Sequence, residues 1–456
     1  MASNPSIPDR ELFDSRMQDQ YPLKAGHEAR VSEWFRGAGL GLFIHWDHAS
    51  QQGIEIGWPL VGGVAALPGA AVPAEQYHST HATFNPTNWD PALVAKLAKE
   101  ARMTYAVFTS KHHSGWASWP SKHGSRNIAS SPYGKAGGDI LRSYVEAFRA
   151  EGIRVGVYYS LSDWGHEDYT AWKDEYLPYK FGFDSPMGTP EQWSSYREYL
   201  KGQLEEILVD YGPVDVLWFD GGWERSEEQW DTADIEAHIR ALSPNTLIND
   251  RLFSQGDYRT PEQWIPAQPL PEPWECCMTM NYSWAYVPDD KKFKSPYEII
   301  RTLVEVVSRG GNLLLNIGPM GDGSVVPEER AILEQLGEWM QAHGDSVIGV
   351  EPGLEGWQFY GPSTKRGTTV YLHQLATPGE SVVLRGVKIR RVRSVTNLAT
   401  GQEYSFIRRA AINDTELPDP DGEIIIDTSD GSVGGLVPVL AVDLGGDPEA
   451  VTLSHF

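Results

Sequence analysis

Cysteine is scarce in this sequence, and the two cysteines present are neighbours. Cys276 and Cys277 are adjacent in a chain of 456 residues, and adjacent cysteines rarely have the geometry for a structural disulfide. The N-terminus lacks a basic segment followed by an apolar one, so no signal peptide is visible. We therefore expect a reduced, cytoplasmic protein, or a secreted or periplasmic one if a leader has been removed.

Basic residues and long apolar runs are also in short supply. The chain carries 38 Lys and Arg against 62 Asp and Glu, so its formal net charge is −24. This excess of negative charge disfavours binding to a phosphate backbone, and we expect no nucleic-acid partner. No run of 18 apolar residues occurs, which predicts that the chain has no transmembrane helix and no membrane partner.

Tryptophan, in contrast, is abundant, with 17 residues. Flat apolar rings of this kind often line carbohydrate-binding clefts, where they lie against sugar faces. The acidic chain also fits a neutral substrate better than an anionic one. The composition therefore favours a neutral, carbohydrate-like substrate, although a tryptophan-rich core accounts for part of the count.

Strand and helix signals alternate between residues 40 and 345. Seven short segments have the composition of buried strands: Leu40–Trp46, Tyr105–Ser110, Val155–Ser160, Val214–Asp220, Thr246–Asp250, Glu275–Met280 and Asn312–Gly318. Helix start signals lie between them, among them Asp90, Asp139 and Ser295. The repeated order predicts a parallel sheet in an α/β protein. Its length suits an irregular (β/α)8-like barrel of the TIM type, with one strand unplaced.

The pattern changes after residue 350. Short alternating segments follow one another between clusters of Gly, Pro, Asp and Asn: Thr369–Leu375, Ser381–Leu384, Val387–Val395, Gly422–Asp427 and Val437–Leu444. They predict a C-terminal antiparallel β-sandwich. We thus expect two domains, a catalytic barrel over residues 1–350 and a sandwich over residues 351–456.

Polar side chains cluster where the barrel strands end. Asp220 ends a buried strand beside Trp218, and such a carboxylate is costly unless its charge is used or paired. At the carboxyl ends of barrel strands, such residues are typical of active sites. Further candidates at these ends are His45, His112, His113, Tyr158 and Arg251. Their number indicates a functional site, because a single histidine would more often be a structural residue.

Two kinds of chemistry fit this set of residues. Three histidines and an aspartate permit a metal site, but no His-x-His pair follows the first strand. Aromatic residues and carboxylates dominate the set, so we expect no metal and no cofactor. A neutral substrate, an aromatic cleft and a deep Asp instead favour glycoside hydrolysis, which needs two carboxyl groups flanking the scissile bond.

Several motifs, in order along the chain, resemble those of the α-L-fucosidases of glycoside hydrolase family twenty-nine. They are Phe43-Ile44-His45-Trp46, Lys111-His112-His113-Ser114-Gly115-Trp116, Gly156-Val157-Tyr158, Leu217-Trp218-Phe219-Asp220-Gly221-Gly222-Trp223, Asn249-Asp250-Arg251, Trp274-Glu275, Ser283-Trp284 and Gly311–Gly323. Ser114 and Trp116 replace the Asp and Phe usual in the second motif. The resemblance runs from about residue 30 to residue 360.

The resemblance implies a retaining exo-α-L-fucosidase that acts on fucosylated oligosaccharides or glycoconjugates by double displacement. It implies that Asp220 is the nucleophile. The implied fucose pocket contains His45, His112, His113, Tyr158, Trp218 and Arg251. The family's Glu-Trp sugar contact has its nearest match in Glu75-Gln76, where Gln76 departs from the pattern. Glu275 and Trp284 complete the predicted substrate-binding residues.

The general acid has no constant sequence position in the family, and two glutamates compete for the role. Glu262 lies in a predicted loop after the fifth strand, from which it can approach the leaving group. Glu275 begins a strand candidate and suits a structural role. We favour Glu262.

Two alternatives to this enzyme remain open. One is a carbohydrate-binding protein on the same scaffold that has lost catalysis, and the other is a glycosidase for a related L-sugar. Retention of Asp220, both adjacent histidines and Arg251 favours the fucosidase. The sequence leaves the oligomeric state open, a homo-oligomer included.

Overall fold

Seven parallel strands form the first sheet. They are buried along nearly their whole length, which explains the near-continuous apolar composition of these segments. The computed structural model describes residues 22–64, 67–68, 71–170 and 187–446. The strands are β1 (Leu40–Ile44), β2 (Tyr105–Lys111), β3 (Arg154–Ser160), β4 (Val216–Asp220), β5 (Leu247–Ile248), β6 (Trp274–Thr279) and β7 (Gly311–Ile317). Their order is β5-β4-β3-β2-β1-β7-β6, and every pairing is parallel.

Residues 257–263 fill the gap between the two edge strands. On one side the amide of Asp257 donates to the carbonyl of Ile248 at 2.7 Å, and on the other the amide of Gln263 donates to the carbonyl of Cys277 at 3.0 Å. Parallel bridges join Tyr258 to Asn249, Arg259 to Trp274 and Glu262 to Cys277. This segment takes the missing place in the ring, so the predicted barrel is confirmed in an irregular form. The loop predicted after the fifth strand is thus interrupted here by isolated bridges to both edge strands.

Helices follow most of the strands. The longer ones are α1 (Pro91–Glu100), α2 (Ile140–Ala150), α3 (Pro190–Asp210), α4 (Thr232–Leu242), α5 (Pro296–Val307) and α6 (Pro327–His343), and single-turn or two-turn helices cover Glu33–Arg36, Ala74–Ser79, Pro132–Lys135 and Glu227–Trp230. The predicted caps are confirmed: Asp90 and Asp139 accept amides of the first turn, and Ser295 forms a capping box. Within the described ranges, no helix has the length and hydrophobicity needed to cross a membrane.

The C-terminal residues form two antiparallel sheets over a shared core. The strands are β8 (Glu351–Pro352), β9 (Ser363–Arg366), β10 (Thr369–His373), β11 (Ser381–Lys388), β12 (Ser394–Asn397), β13 (Phe406–Arg409), β14 (Asp421–Asp427) and β15 (Val439–Asp443). One sheet has the order β8-β9-β10-β15-β12 and the other β11-β14-β13. Leu372 from the first sheet and Ile424 from the second belong to one hydrophobic cluster. The predicted C-terminal sandwich is confirmed, and its boundary at residue 350 stays a prediction.

Two details of the predicted C-terminal strands are wrong. The segment Val387–Val395 is not one strand, because Val387 belongs to β11 and Val395 to β12. Strand β11 continues through a bulge between Arg385 and Val387, so Val387 belongs to the same strand as Ser381–Leu384. Strands β9 and β13 escaped prediction because their polar ends hide the apolar alternation.

Candidate active site

The carboxyl ends of the barrel strands bring seven predicted side chains together. The pairing of β3 with β4 sets Tyr158 beside Trp218, one step before Asp220. His45 directly follows β1, His112 and His113 directly follow β2, and Arg251 lies three residues after the end of β5. Ring contacts and hydrogen bonds connect the seven side chains. We call this group the pocket cluster.

Asp220 is the carboxylate of the pocket cluster, and both of its oxygens have partners. Its Oδ1 lies 2.9 Å from Arg251 Nη1, and its Oδ2 accepts the Tyr158 hydroxyl at 3.0 Å. His113 Nε2 lies 3.6 Å from the same Oδ2. Charge-assisted bonds at both oxygens restrict rotation of the carboxylate and offset the cost of its burial.

Glu262 reaches the same guanidinium from the other side. Arg251 Nη2 donates to Glu262 Oε2 at 2.8 Å, so one planar cation contacts two carboxylates. The Glu262 side chain is 35% exposed and that of Asp220 is 13% exposed. Asp220 is therefore the deeper of the two carboxylates, and Glu262 lies nearer to solvent at the end of segment 257–263.

The hydrogen bonds of His113 assign its tautomer. The Ser160 hydroxyl donates to the Ser162 carbonyl at 2.8 Å, so Ser160 Oγ accepts from His113 Nδ1 at 2.6 Å. His113 Nε2 is then an acceptor, and it is buried without a hydrogen-bond partner of its own. Burial, together with the nearby positive charge of Arg251, lowers the pKa of His113 to about 3. A neutral ring with a free acceptor suits a hydroxyl donor on a substrate.

His45 has the same arrangement. Asn316 Nδ2 donates to the Trp284 carbonyl at 2.6 Å, which leaves Asn316 Oδ1 to accept from His45 Nδ1 at 2.6 Å. Burial lowers the pKa of His45 to about 3 and that of His112 well below its usual value. The three histidines are thus neutral at pH 7, and they offer nitrogen lone pairs and N–H groups instead of positive charge.

Glu275 lies inside the barrel and not with the pocket cluster. Trp218 Nε1 donates to its Oε1 at 2.8 Å, and the Tyr105 hydroxyl donates to its Oε2 at 2.5 Å. The side chain is fully buried, and burial raises the pKa of Glu275 to about 7. Because both oxygens accept from protein groups, Glu275 orients the Trp218 indole.

Aromatic rings lie within and around the pocket cluster. The Trp284 ring lies 4.7 Å from that of His45, and the Trp218 ring stacks on Tyr158 at 5.6 Å. Glu55 accepts the backbone amides of Trp284 and Ala285 at 2.7 and 2.8 Å, which joins the loop after β1 to the loop after β6. Burial raises the pKa of Glu55 to about 7. Trp284, one of the predicted substrate-binding residues, thus lies against the pocket cluster.

Two tryptophans of the site were missed, and one predicted residue lies apart. The rings of Trp58 and Trp223 lie 5.5 and 5.2 Å from that of His113, and the two indoles are nearly parallel. Trp223 closes the Asp220 motif, so a signal for it was present, whereas Trp58 begins a short 3-10 helix (Trp58–Val61) in the long connection after β1. Glu75 is exposed on the short helix Ala74–Ser79, and the structure does not bring it to the pocket cluster.

The described part of the chain contains one group of side chains with metal-ligand spacing. One nitrogen each of His112 and His113 and a carboxylate oxygen of Asp220 lie within 4.8 Å of one another. Two histidines and a carboxylate can bind transition metals. A metal ion here would lie beside the Arg251 cation, which shares Asp220 and repels it. The donors and acceptors fit the hydroxyl groups of a neutral sugar better.

Comparisons with known proteins point to one family. The family model described as Alpha-L-fucosidase matches residues 14–345. Tissue alpha-L-fucosidase of Mus musculus is 30% identical over 433 residues, which cover 88% of this chain and 87% of the relative.

Solved structures agree in fold. Alpha-L-fucosidase isoenzyme 1 from Paenibacillus thiaminolyticus is similar with a TM-score of 0.78 and 32% identity, covering 92% of this chain and 100% of that one. An alpha-L-fucosidase from Bacteroides thetaiotaomicron is similar with a TM-score of 0.76 and 28% identity, covering 91% and 96%. Its crystal structure contains a trapped covalent intermediate, obtained with 2-fluoro-fucosyl fluoride in a glutamate-to-glutamine mutant.

Proposed function

Because this chain belongs to the α-L-fucosidase family, we propose that it hydrolyses terminal α-L-fucosyl linkages of oligosaccharides or glycoconjugates with retention of configuration. The observation that carries the proposal is the pair of carboxylates, Asp220 and Glu262, on one Arg251 guanidinium. Retaining hydrolysis needs two such groups flanking the scissile bond. The covalent intermediate of the Bacteroides relative supports double displacement here.

We assign the nucleophile to Asp220. It is the deeper carboxylate, and Arg251 and Tyr158 hold its two oxygens in a fixed orientation. An oriented carboxylate attacks the anomeric carbon without first losing rotational freedom. The bond to the leaving oxygen breaks as the fucosyl–Asp220 ester forms, and water then cleaves that ester at the same carbon.

We assign the general acid and base to Glu262. Its greater exposure and its place at the end of segment 257–263 suit contact with the leaving group, which must extend towards solvent. Glu262 donates a proton to the departing oxygen and then removes one from the attacking water. Glu275 cannot exchange roles with it while Tyr105 and Trp218 occupy both Glu275 oxygens.

The pocket cluster supports recognition of a neutral deoxy sugar. Neutral His45 and His113 present ring acceptors to sugar hydroxyls, and the stacked rings of Tyr158 and Trp218 present apolar faces. Such a mixture of a few oriented polar groups among aromatic rings is typical of a site for an uncharged ligand.

Replacement of Asp220 tests the nucleophile. We expect Asp220→Gly to lower turnover of an aryl α-L-fucoside by more than the factor of about 10²–10⁴ that a general acid contributes. Azide should partly restore turnover and yield a β-fucosyl azide, because it attacks from the side that the carboxylate vacates. Near-normal turnover of the variant without azide would show that another residue is the nucleophile.

Replacement of Glu262 tests the general acid, with Glu275 as the matched control. Glu262→Ala should hardly slow fucosyl transfer from a good aryl leaving group, yet it should abolish cleavage of fucosylated oligosaccharides. It should also remove the basic limb of the pH–rate profile. If Glu275→Ala shows this dependence on the leaving group and Glu262→Ala does not, the role passes to Glu275.

We further propose a cytoplasmic location. The chain has only two cysteines, Cys276 and Cys277, and adjacent cysteines rarely have the geometry for a structural disulfide, which fits a reducing compartment. Fractionation of source cells followed by activity assays tests this location, and activity confined to the secreted fraction would contradict it.

A further inference from the structure

Asp47 is a buried carboxylate at the junction of three segments around the pocket. Its Oδ1 accepts the amide of Ala49 at 2.6 Å, and its Oδ2 accepts the hydroxyls of Tyr77 and Ser114, each at 3.2 Å. Asp47 itself is 3% exposed. In the described ranges no Lys, Arg or His forms an ion pair with it, so hydrogen bonds alone offset the cost of burying this group.

Tyr77 links Asp47 to a fourth segment, which contains Gly57 and Trp58. The Tyr77 oxygen accepts the amide of Gly57 at 2.7 Å while its hydroxyl donates to Asp47. Gly57 has a φ of 72° and packs so closely against His112 that a Cβ would lie 2.6 Å from His112 Nδ1. The next residue, Trp58, has its ring 5.5 Å from that of His113. Asp47 thereby connects to the wall of the sugar pocket.

Ser114 connects Asp47 to the histidines from the other side. The amide of Gly115 donates to the carbonyl of His112 at 2.9 Å, so residues 112–115 form a turn that contains both histidines and Ser114. The motif that this turn resembles has an aspartate in place of Ser114. In this chain the Ser114 hydroxyl at that position donates to the Asp47 carboxylate.

We propose that Asp47 is a positioning residue of the sugar pocket, which holds the Gly57–Trp58 segment and the turn of residues 112–115 against each other. The proposal rests on the proposed function for the identity of the sugar. Asp47 touches neither Asp220 nor Arg251 in the hydrogen bonds that the structure shows. It therefore acts on binding, which is shared by ground state and transition state, more than on the chemical step.

Kinetics of Asp47→Asn test the proposal. We expect KM for an aryl α-L-fucoside to rise about tenfold with kcat nearly unchanged, because charge-assisted bonds to the two hydroxyls are lost. L-fucose affinity, measured by calorimetry, should fall by the same factor. Tyr77→Phe should have a similar effect, and the two changes together should be less than additive because they break one network.

Moving the carboxylate from residue 47 to residue 114 is the most specific test of the proposal. Adding Ser114→Asp to Asp47→Asn places a carboxylate across the same contact, and we expect it to restore most of the lost fucose affinity. Asp215→Asn is the matched control, since Asp215 also accepts a backbone amide, that of Val155 at 2.8 Å, but at the opposite end of the strands. It should leave KM unchanged.

Three results would overturn the proposal. They are an unchanged KM and fucose affinity in Asp47→Asn, an equal rise of KM in Asp215→Asn, and no recovery on adding Ser114→Asp. If Asp47→Asn does not fold, Tyr77→Phe tests the same network by the same readouts. Calorimetric binding of L-fucose separates this proposal from the catalytic assignment, because it requires no turnover.

Discussion

Single side chains in the pocket have their chemical state determined by neighbours that do not touch the substrate. Ser160 and Asn316 each accept a hydrogen bond from a histidine Nδ1, and both acceptors are oriented by a backbone carbonyl. His113 and His45 are therefore specified as acceptors at Nε2. The same logic makes Glu275 an orienting group for Trp218, although its pKa lies in a range that catalytic acids often have.

Protonation of His45 and His113 gives a prediction at the residue scale. Both have pKa values near 3, so their ring ¹⁵N resonances should not titrate between about pH 8 and pH 5, where free histidine changes charge. The unfolded chain does take up these protons below about pH 6.5. The contribution of His45 and His113 to the free energy of unfolding should therefore fall as the pH drops from 6.5 towards 3. A ring titration with a midpoint near pH 6.5, with His45→Asn and His113→Asn used for assignment, would contradict the burial argument.

At the scale of elements, the irregular segment 257–263 places the second carboxylate. It begins with Asp257, which is fully buried and accepts two bonds from Arg240, at 3.0 and 2.8 Å, and the amide of Ile248 at 2.8 Å. It ends with Glu262 on Arg251. One short extended segment thus closes the barrel at its amino end and carries the proposed general acid, Glu262, near its carboxyl end.

Asp257→Asn tests this anchoring. Removing the Asp257 charge breaks its two bonds to Arg240, which keeps its pair with Glu236, and we expect a loss of up to about 3–5 kcal/mol in the free energy of unfolding. Urea unfolding followed by tryptophan fluorescence measures it. Glu334→Gln breaks the exposed pair with Arg330 and should cost less than about 1 kcal/mol. Equal effects of the two substitutions would contradict the role given to Asp257.

The sequence predicted elements whose information is local and missed those determined by distant partners. Strands β1 to β4 could be predicted because each is a continuous apolar run, and Asp220 is the last residue of β4. Segment 257–263 contains Pro261 and several charged residues, and its pairing comes from backbone groups on both sides. Trp58 was not predicted as a site residue for the same reason, because its position depends on contacts of Gly57 and Tyr77. Glu75 matches the family's Glu-Trp motif in sequence, yet its position on the short helix Ala74–Ser79 leaves it exposed.

For the whole molecule, the central question is how the C-terminal sheets relate to the barrel. Trp339 of α6 is buried, and its Nε1 donates to the carbonyl of Val437 at 3.1 Å. Tyr297 of α5 donates its hydroxyl to the carbonyl of Leu375 at 2.7 Å. Val439 belongs to the same hydrophobic cluster as the barrel strands. The sandwich therefore covers the outer surface of two barrel helices with a shared apolar interface.

Truncation after residue 350 tests whether the barrel can fold without that cover. The cut would leave Trp339 and the apolar groups around it facing water, and full burial of one large apolar side chain contributes about 1.5–3 kcal/mol. We expect residues 1–350 to be poorly soluble or to melt well below the full chain, as measured by soluble yield and thermal unfolding. Full-length Trp339→Ala should show part of the same loss, because it removes the central contact and keeps the sandwich. A soluble, active 1–350 fragment with an unchanged melting temperature would show instead that the two regions fold independently.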